Sequence, residues 1–194
     1  MLIRSVLIRT LSNEELKLPE KSFPDALNEQ IANEFAASQQ YIGMAVYYDA
    51  ETLPRLAAFF YRQALEEREH AMMMVQYLLD VGEEVRIPDI KGQETSYSDG
   101  VTPVKKALEQ EKLVGEEIFA LFELAREVKD YRAEQFIQWF VKEQVEEVAL
   151  MGDLLNVVER SEDNLLLVED YIARESPGEG GGDPTAPPAA GLGG

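Results

Sequence analysis

Cysteine is absent from all 194 residues. Its absence excludes disulfides, a thiolate zinc site and a cysteine-held cluster, and it fits a reducing compartment. Histidine occurs once, as His70. Positive charge is scarce: 18 Lys and Arg stand against 37 Asp and Glu, for a net charge of -19. With no basic block in the chain, the expected partners include no nucleic acid and no anionic membrane, and cationic cargo is favoured. No run approaches the ~18 apolar residues of a membrane-crossing helix. Residues 1–10 are apolar, but Arg4 and Arg9 interrupt them and no small-residue cleavage site follows. That makes a poor signal peptide. We read the stretch as part of a cytoplasmic arm or a start-site artefact, and expect the protein to be cytoplasmic. What the chain does have is 45% hydrophobic residues, enough for a substantial core in one domain.

Residues 1–21 show no sustained period and form an N-terminal arm. Ser22-Phe23-Pro24-Asp25 then reads as a helix start: a capping residue, an early proline and an acid in the first turn. The first helix carries the stripe Leu27, Ile31, Glu34, Phe35, Gln39, Ile42 and Val46. Thr52-Leu53-Pro54 starts a second helix that Gly82 ends. Its inner face includes Phe60, Glu67, His70, Met74 and Leu78, and Leu65 and Val75 are assigned to the same apolar set. Residues 82–101 are rich in turn formers, and so long a link suits a crossover running the length of a bundle. Thr102-Pro103 caps a third helix and Asp130 a fourth, which carries Phe140, Glu143, Glu147 and Leu150 inward; a short fifth follows over 163–174. The fold expected is all-α: an antiparallel four-helix bundle over 22–175, with one long crossover between helices 2 and 3 and a short C-terminal fifth helix. The tail, 176–194, is Gly/Pro-rich and is expected to be disordered.

The second helix holds Glu66-Glu67-Arg68-Glu69-His70. Glu67 and His70 share a face at i, i+3, and Glu66 and His70 share one at i, i+4. Ionised carboxylates entering a dry interior need a partner, since the effective cost is on the order of several kcal/mol per charge. A metal cation would supply it. A hidden repeat strengthens this reading. Glu67 follows Glu34 by 33 residues and opens Glu67-x-x-His70; Gln144 follows Glu111 by 33 residues and opens Gln144-x-x-Glu147. Two helical hairpins related by a pseudo-twofold axis would converge Glu34, Glu67, His70, Glu111 and Glu147. Glu67 would bridge two metals, with Glu34 and His70 on one side and Glu111 and Glu147 on the other. Oxygen donors with one imidazole suit iron or manganese. Like charges packed together raise one another's pKa, so some of these carboxyls should be protonated until metal enters. Glu66, Glu143 and Glu146 sit nearby and could form a third, looser site. Tyr41 and Trp139 could bond a ligand or donate an electron, although core packing is the favoured reading for both.

Taken together, these residues resemble the non-haem bacterial ferritins, which share the ferritin-like di-metal carboxylate pattern. The resemblance is carried by Asn28-Glu29-Gln30, Asn33-Glu34, Tyr41, the segment Glu66 to Met72, Glu111, and the segment Trp139 to Glu147, and spans about residues 24–174. It implies an iron-storing ferroxidase that oxidises Fe(II) with O2 or peroxide and deposits ferric oxyhydroxide inside a homo-oligomeric 24-subunit cage. One iron would be held by Glu34, Glu67 and His70, and the second by Glu67, Glu111 and Glu147. Glu66, Glu143, Glu146 and Glu147 would form the third site. Gln144 matches the family's glutamine and is counted with the metal residues; Tyr41 is counted with the catalytic ones. Glu134 is a weaker carry-over, as an entry-channel residue. Arg68 stands where bacterioferritins place a haem-ligating methionine, so no haem is expected. The long tail could dock the particle into an encapsulating shell, with a plain flexible extension preferred. Two other readings compete: a di-metal redox enzyme without storage, and an acidic scaffold that merely buffers metal.

Overall fold

The computed structural model describes residues 21–90, 92–175 and 183–191. The expected arm up to residue 20 and the tail segments 176–182 and 192–194 lie outside them. Five helices follow in order: α1 Phe23–Ala50, α2 Pro54–Val81, α3 Thr102–Glu127, α4 Tyr131–Arg160 and α5 Leu166–Glu175. The first pair and the second pair each form an antiparallel hairpin, as expected. Ser22 caps α1 by accepting from the Asp25 N–H, and Gly82 ends α2 in the left-handed region at φ 79°.

The buried side of α1 departs from the expected stripe. Gln39, Ile42 and Val46 face solvent, and the inward positions beyond Glu34 include Tyr41, Met44, Ala45 and Tyr48. A strict 3.6-residue repeat drifts from any fixed 3–4 spacing over seven turns, so the stripe drawn from the N-terminal end loses phase after Glu34. Leu65 is exposed in the same way, and Leu150 of α4 also faces outward.

The crossover, 82–101, is pinned to α1 by buried amides. Asn28 accepts from the Arg86 N–H at 2.7 Å and donates to the Glu84 carbonyl at 2.9 Å. Gln40 donates to the Glu94 carbonyl at 2.7 Å and to the Tyr97 hydroxyl at 2.6 Å. Such bonds satisfy a backbone that forms no regular structure of its own. At Gly43 the crossover comes so close that an added Cβ would stand 2.9 Å from the Glu94 carbonyl oxygen. The crossover ends by capping α3 with Asp99, which accepts from the Thr102 and Val101 N–H groups and the Thr102 hydroxyl. These bonds hold its carboxyl down to about 2. The cap is thus Asp99, not the Thr102 expected from the sequence.

No side chain of its own caps α2. Glu169 of α5 supplies the missing acceptor: the Arg55 and Leu56 N–H groups each donate to its carboxylate at 2.9 Å. A carboxylate at a helix N-terminus is also favoured by the helix dipole. This contact, with Val168 and Ile172, seats α5 on the end of the bundle.

Two apolar clusters form the core. One, at the α5 end, includes Tyr48, Leu56, Phe60, Val104, Met151 and Val158; the other, at the far end, includes Leu27, Ile31, Met74, Leu78, Ile118 and Ile137. Each large side chain fully buried there is worth about 1.5–3 kcal/mol. Every one of the four long helices passes from one cluster to the other, and at the seam each presents polar groups inward.

The Gly/Pro-rich tail makes contacts with the bundle. Its described part, 183–191, lies on α2 and α4. The Trp139 indole N–H donates to Asp183 at 3.1 Å, the Lys142 ammonium lies 3.7 Å from the same carboxylate, and the Ala190 N–H donates to the Met72 carbonyl at 3.0 Å. Ala186, Ala189 and Ala190 rest on the far-end cluster. A Gly/Pro-rich segment cannot build a core, but one already at hand can hold it. Proline lowers the entropy lost in doing so. Because Trp139 is the only tryptophan, its emission reports this contact. Truncation after Glu175 is expected to shift Trp139 fluorescence to longer wavelength; unchanged emission would mean that the tail does not cover the indole in solution.

Candidate metal centre

The seam between the clusters is where the sequence placed its ligands. Glu34, Glu67, His70, Glu111 and Glu147 are each no more than 5% exposed. Glu34 comes from α1, Glu67 and His70 from α2, Glu111 from α3 and Glu147 from α4. Glu34, Glu67 and His70 each offer a ligand atom within 4.8 Å of the others. The His70 Nδ1 lies 3.5 Å from Glu67 Oε2. The edges of Trp139 and Phe140 pack around its ring, each with centroids 5.7 Å away, and fix the imidazole plane.

A second group shares the histidine. Glu66, His70 and Glu143 also offer ligand atoms within 4.8 Å of one another, on the more open side of the seam. Of the expected third site, Glu66 and Glu143 belong to this group; Glu146, exposed, pairs with Lys142 at 3.1 Å, and its charge acts on Glu143 and Glu147. Glu134 lies at the α3–α4 corner, 3.6 Å from the Arg126 guanidinium.

Glu111 is held by neutral donors. The Tyr41 hydroxyl, fully buried, donates to Glu111 Oε1, and the Gln144 amide donates to Glu111 Oε2 at 2.6 Å and to the Glu111 carbonyl at 2.9 Å. Glu111 and Glu147 belong to neither close group of three, and the Gln144 amide nitrogen faces the Glu111 carboxylate as a donor. Gln144 and Tyr41 thus position Glu111. Gln30, four residues before Glu34, donates to Glu34 Oε1 at 2.9 Å, and Gln63 donates to Glu66 at 2.8 Å. Neither glutamine is among the expected site residues. The signal was there for both, at i, i+4 from Glu34 and i, i+3 from Glu66.

Burial and mutual repulsion disfavour the ionised form of these acids. Burial, then the Glu67 charge, pushes the Glu34 carboxyl well above its usual range. Glu67 is raised by burial and then by Glu111. Burial, followed by Glu66 and Glu111, pushes Glu147 up to about 9. Glu111 is also raised by burial, against the opposing hydrogen bonds from Tyr41 and Gln144. Burial, with the Glu111 and Glu67 charges, raises the Tyr41 phenol well above its ordinary value, so it stays protonated.

A cation fits this donor set. Glu34 Oε2 and Glu147 Oε2 are buried and have no hydrogen-bond partner in the protein. Buried carboxylate oxygens are otherwise paired, so two lone acceptors in one acidic seam are what a metal would satisfy. The donors are oxygen-rich with one imidazole and no sulfur, which suits iron or manganese.

This chain is similar to known proteins over most of its length. The family profile described as a ferritin-like domain matches residues 24–161. A protein named Ferritin BfrB from Mycolicibacterium smegmatis is 49% identical over 172 residues, covering 89% of this chain and 94% of that one. A bacterial non-heme ferritin from Staphylococcus epidermidis is 36% identical over 154 residues, covering 78% and 93%. Among solved structures, the open pore ferritin of the archaeon Archaeoglobus fulgidus superposes with a TM-score of 0.76 at 28% identity, over 81% of this chain and 98% of that one.

Proposed function

Because this chain belongs to the ferritin family, we propose that it stores and detoxifies iron, oxidising Fe(II) at the buried seam and depositing ferric oxyhydroxide inside a hollow shell of 24 copies. The observation that carries this reading is the acidic seam itself: four buried glutamates and the single histidine, from four helices, with two carboxylate oxygens left unpartnered.

Fe(II) is the substrate. One ion is taken by Glu34, Glu67 and His70, the other by Glu67, Glu111 and Glu147, with Glu67 between them. Entry of metal displaces protons from carboxyls that burial had kept neutral. Each Fe(II) gives up one electron. Dioxygen accepts the two electrons with two protons and leaves as hydrogen peroxide; peroxide as the oxidant accepts two electrons and two protons and leaves as two waters. Two metals acting jointly make this a single two-electron step. Tyr41 and Gln144 keep the Glu111 carboxylate oriented throughout. Glu66, Glu143 and His70, on the open side, receive ferric ion on its way to mineral. The shell works in the cytoplasm, and docking of its tails to an encapsulating shell is a lesser proposal.

Anaerobic loading with Fe(II) followed by air tests the reading, on wild-type protein and on His70→Ala. Rapid oxidation, with hundreds of irons kept soluble in one large particle, is expected for the wild type. His70→Ala is expected to slow the rapid phase about 10–100-fold or more, the range seen when groups that orient metal ligands are lost. Uptake of only two or three irons per chain in a small oligomer would instead identify a di-iron enzyme without storage.

A further inference from the structure

A second polar feature lies between α1 and α3. A cavity of about 210 Å³ opens there, lined in part by Lys21, Glu29, Gln30, Asn33 and Glu117. At ~30 Å³ per water it has room for a hydrated divalent ion. Lys21 and Glu29 pair at its mouth. On its wall, the Asn33 amide donates to Glu117 Oε2 at 3.0 Å and to Gln30 Oε1 at 3.4 Å. Gln30, only 3% exposed, in turn donates to Glu34 Oε1. A continuous chain of polar side chains therefore runs from the cavity to a metal-site carboxylate whose other oxygen has no partner. The flanking positions Leu27, Ile31 and Leu121 are apolar and buried, so this polar line crosses an otherwise dry wall.

We propose that this line is an entry path: Fe(II) collects in the α1–α3 cavity, exchanges water for Glu117 carboxylate oxygens, and reaches Glu34 as the Asn33 and Gln30 amides, which donate N–H to Glu117 and Glu34 in the metal-free protein, turn their oxygens to the ion. The proposal rests on the metal-centre reading above. The chemistry suits the cargo, since carboxylate and amide oxygens are acceptable ligands for Fe(II), and none binds tightly enough alone to trap it. A purely structural network tying α1 to α3 would need no cavity at its outer end and no free carboxylate oxygen at its inner end. Lys21 at the mouth opposes a cation, so it sets the rate of entry.

Anaerobic mixing with Co(II), followed by its visible absorption, times metal arrival without any oxidation. Glu117→Gln keeps the size and hydrogen-bonding capacity of the side chain. It is expected to slow Co(II) arrival about tenfold, the lower end of what charge in a cleft contributes to association rates, with the final Co(II) count per chain unchanged. Lys21→Gln, at the surface, is expected to speed arrival. Wild-type arrival rates in both variants would overturn the entry path while leaving the centre intact. Absence of the Co(II) signal in the wild type would instead overturn the metal centre itself.

Discussion

Glu67→Gln is expected to abolish the rapid phase of Fe(II) oxidation and, at the same time, to raise the melting temperature of the metal-free protein. The two effects have one cause. Glu67 sits 2% exposed, and burial, then the Glu111 and Glu147 charges, disfavour its ionised form. Replacing it with an amide of the same shape removes a buried ionisable group without opening a cavity. Substitutions that relieve a strained functional site commonly stabilise by about 0.5–2 kcal/mol, or roughly 2–8 °C for a chain of this size. In the proposed centre the same change removes the ligand shared by both metals. The loss of rate should be at least ~100-fold, because even groups that merely orient ligands cost 10–100-fold when removed. Stopped-flow oxidation and calorimetry of the metal-free protein check the pair. A lower melting temperature would mean that the seam is stabilising in the absence of metal.

The second large effect is on pH dependence. Glu34, Glu67, Glu111 and Glu147 all have folded-state pKa values above their ordinary value of 4.5, with Glu147 at about 9. A group shifted upward binds more protons in the folded state than in the unfolded one. Its contribution is fully present below 4.5 and is lost as pH rises through the folded value. The metal-free protein should therefore lose stability between pH 5 and pH 9, by on the order of several kcal/mol, which for this chain is about 10 °C or more. Asp99 and Asp183, held at about 2 by hydrogen bonds, act oppositely, and only as pH falls toward 2. Metal reverses the trend in the middle range, because deprotonation then favours binding. Calorimetry at pH 5, 7 and 9, with and without bound metal, should show the metal-free curve falling and the gap to the loaded protein widening. A metal-free melting temperature that rises across that range would contradict the picture.

Much of this was legible in the chain. Helix starts at Ser22, Pro54 and Asp130 carry local chemistry that tertiary contacts did not override. The seam was legible because its spacing repeats: Glu34 to Glu67 and Glu111 to Gln144 are matched steps in two hairpins, and each ligand interrupts an apolar face. What the sequence hid were contacts between distant segments. Glu169 caps α2 from 113 residues away, and nothing local marks that carboxylate from its neighbours. Asn28 and Gln40 read as ordinary polar positions until the crossover lies on them. The phase of α1 was misread because helical drift accumulates with length, which put Ile42 and Val46 inside when they face out. Composition predicts what a segment can build, not what surface it meets, and Asp183 meets Trp139. Glu146, one turn on from Lys142, pairs with it on the exposed side of α4.

The central claim is that the seam holds two irons close enough to act together. Mössbauer spectroscopy of protein loaded anaerobically with two Fe(II) per chain, before and after one pulse of dioxygen, tests it most directly. The expected result is conversion of both ions to a magnetically coupled ferric pair, with one dioxygen consumed and one hydrogen peroxide formed for every two irons. Isolated, uncoupled ions oxidising no faster than Fe(II) in buffer would contradict it.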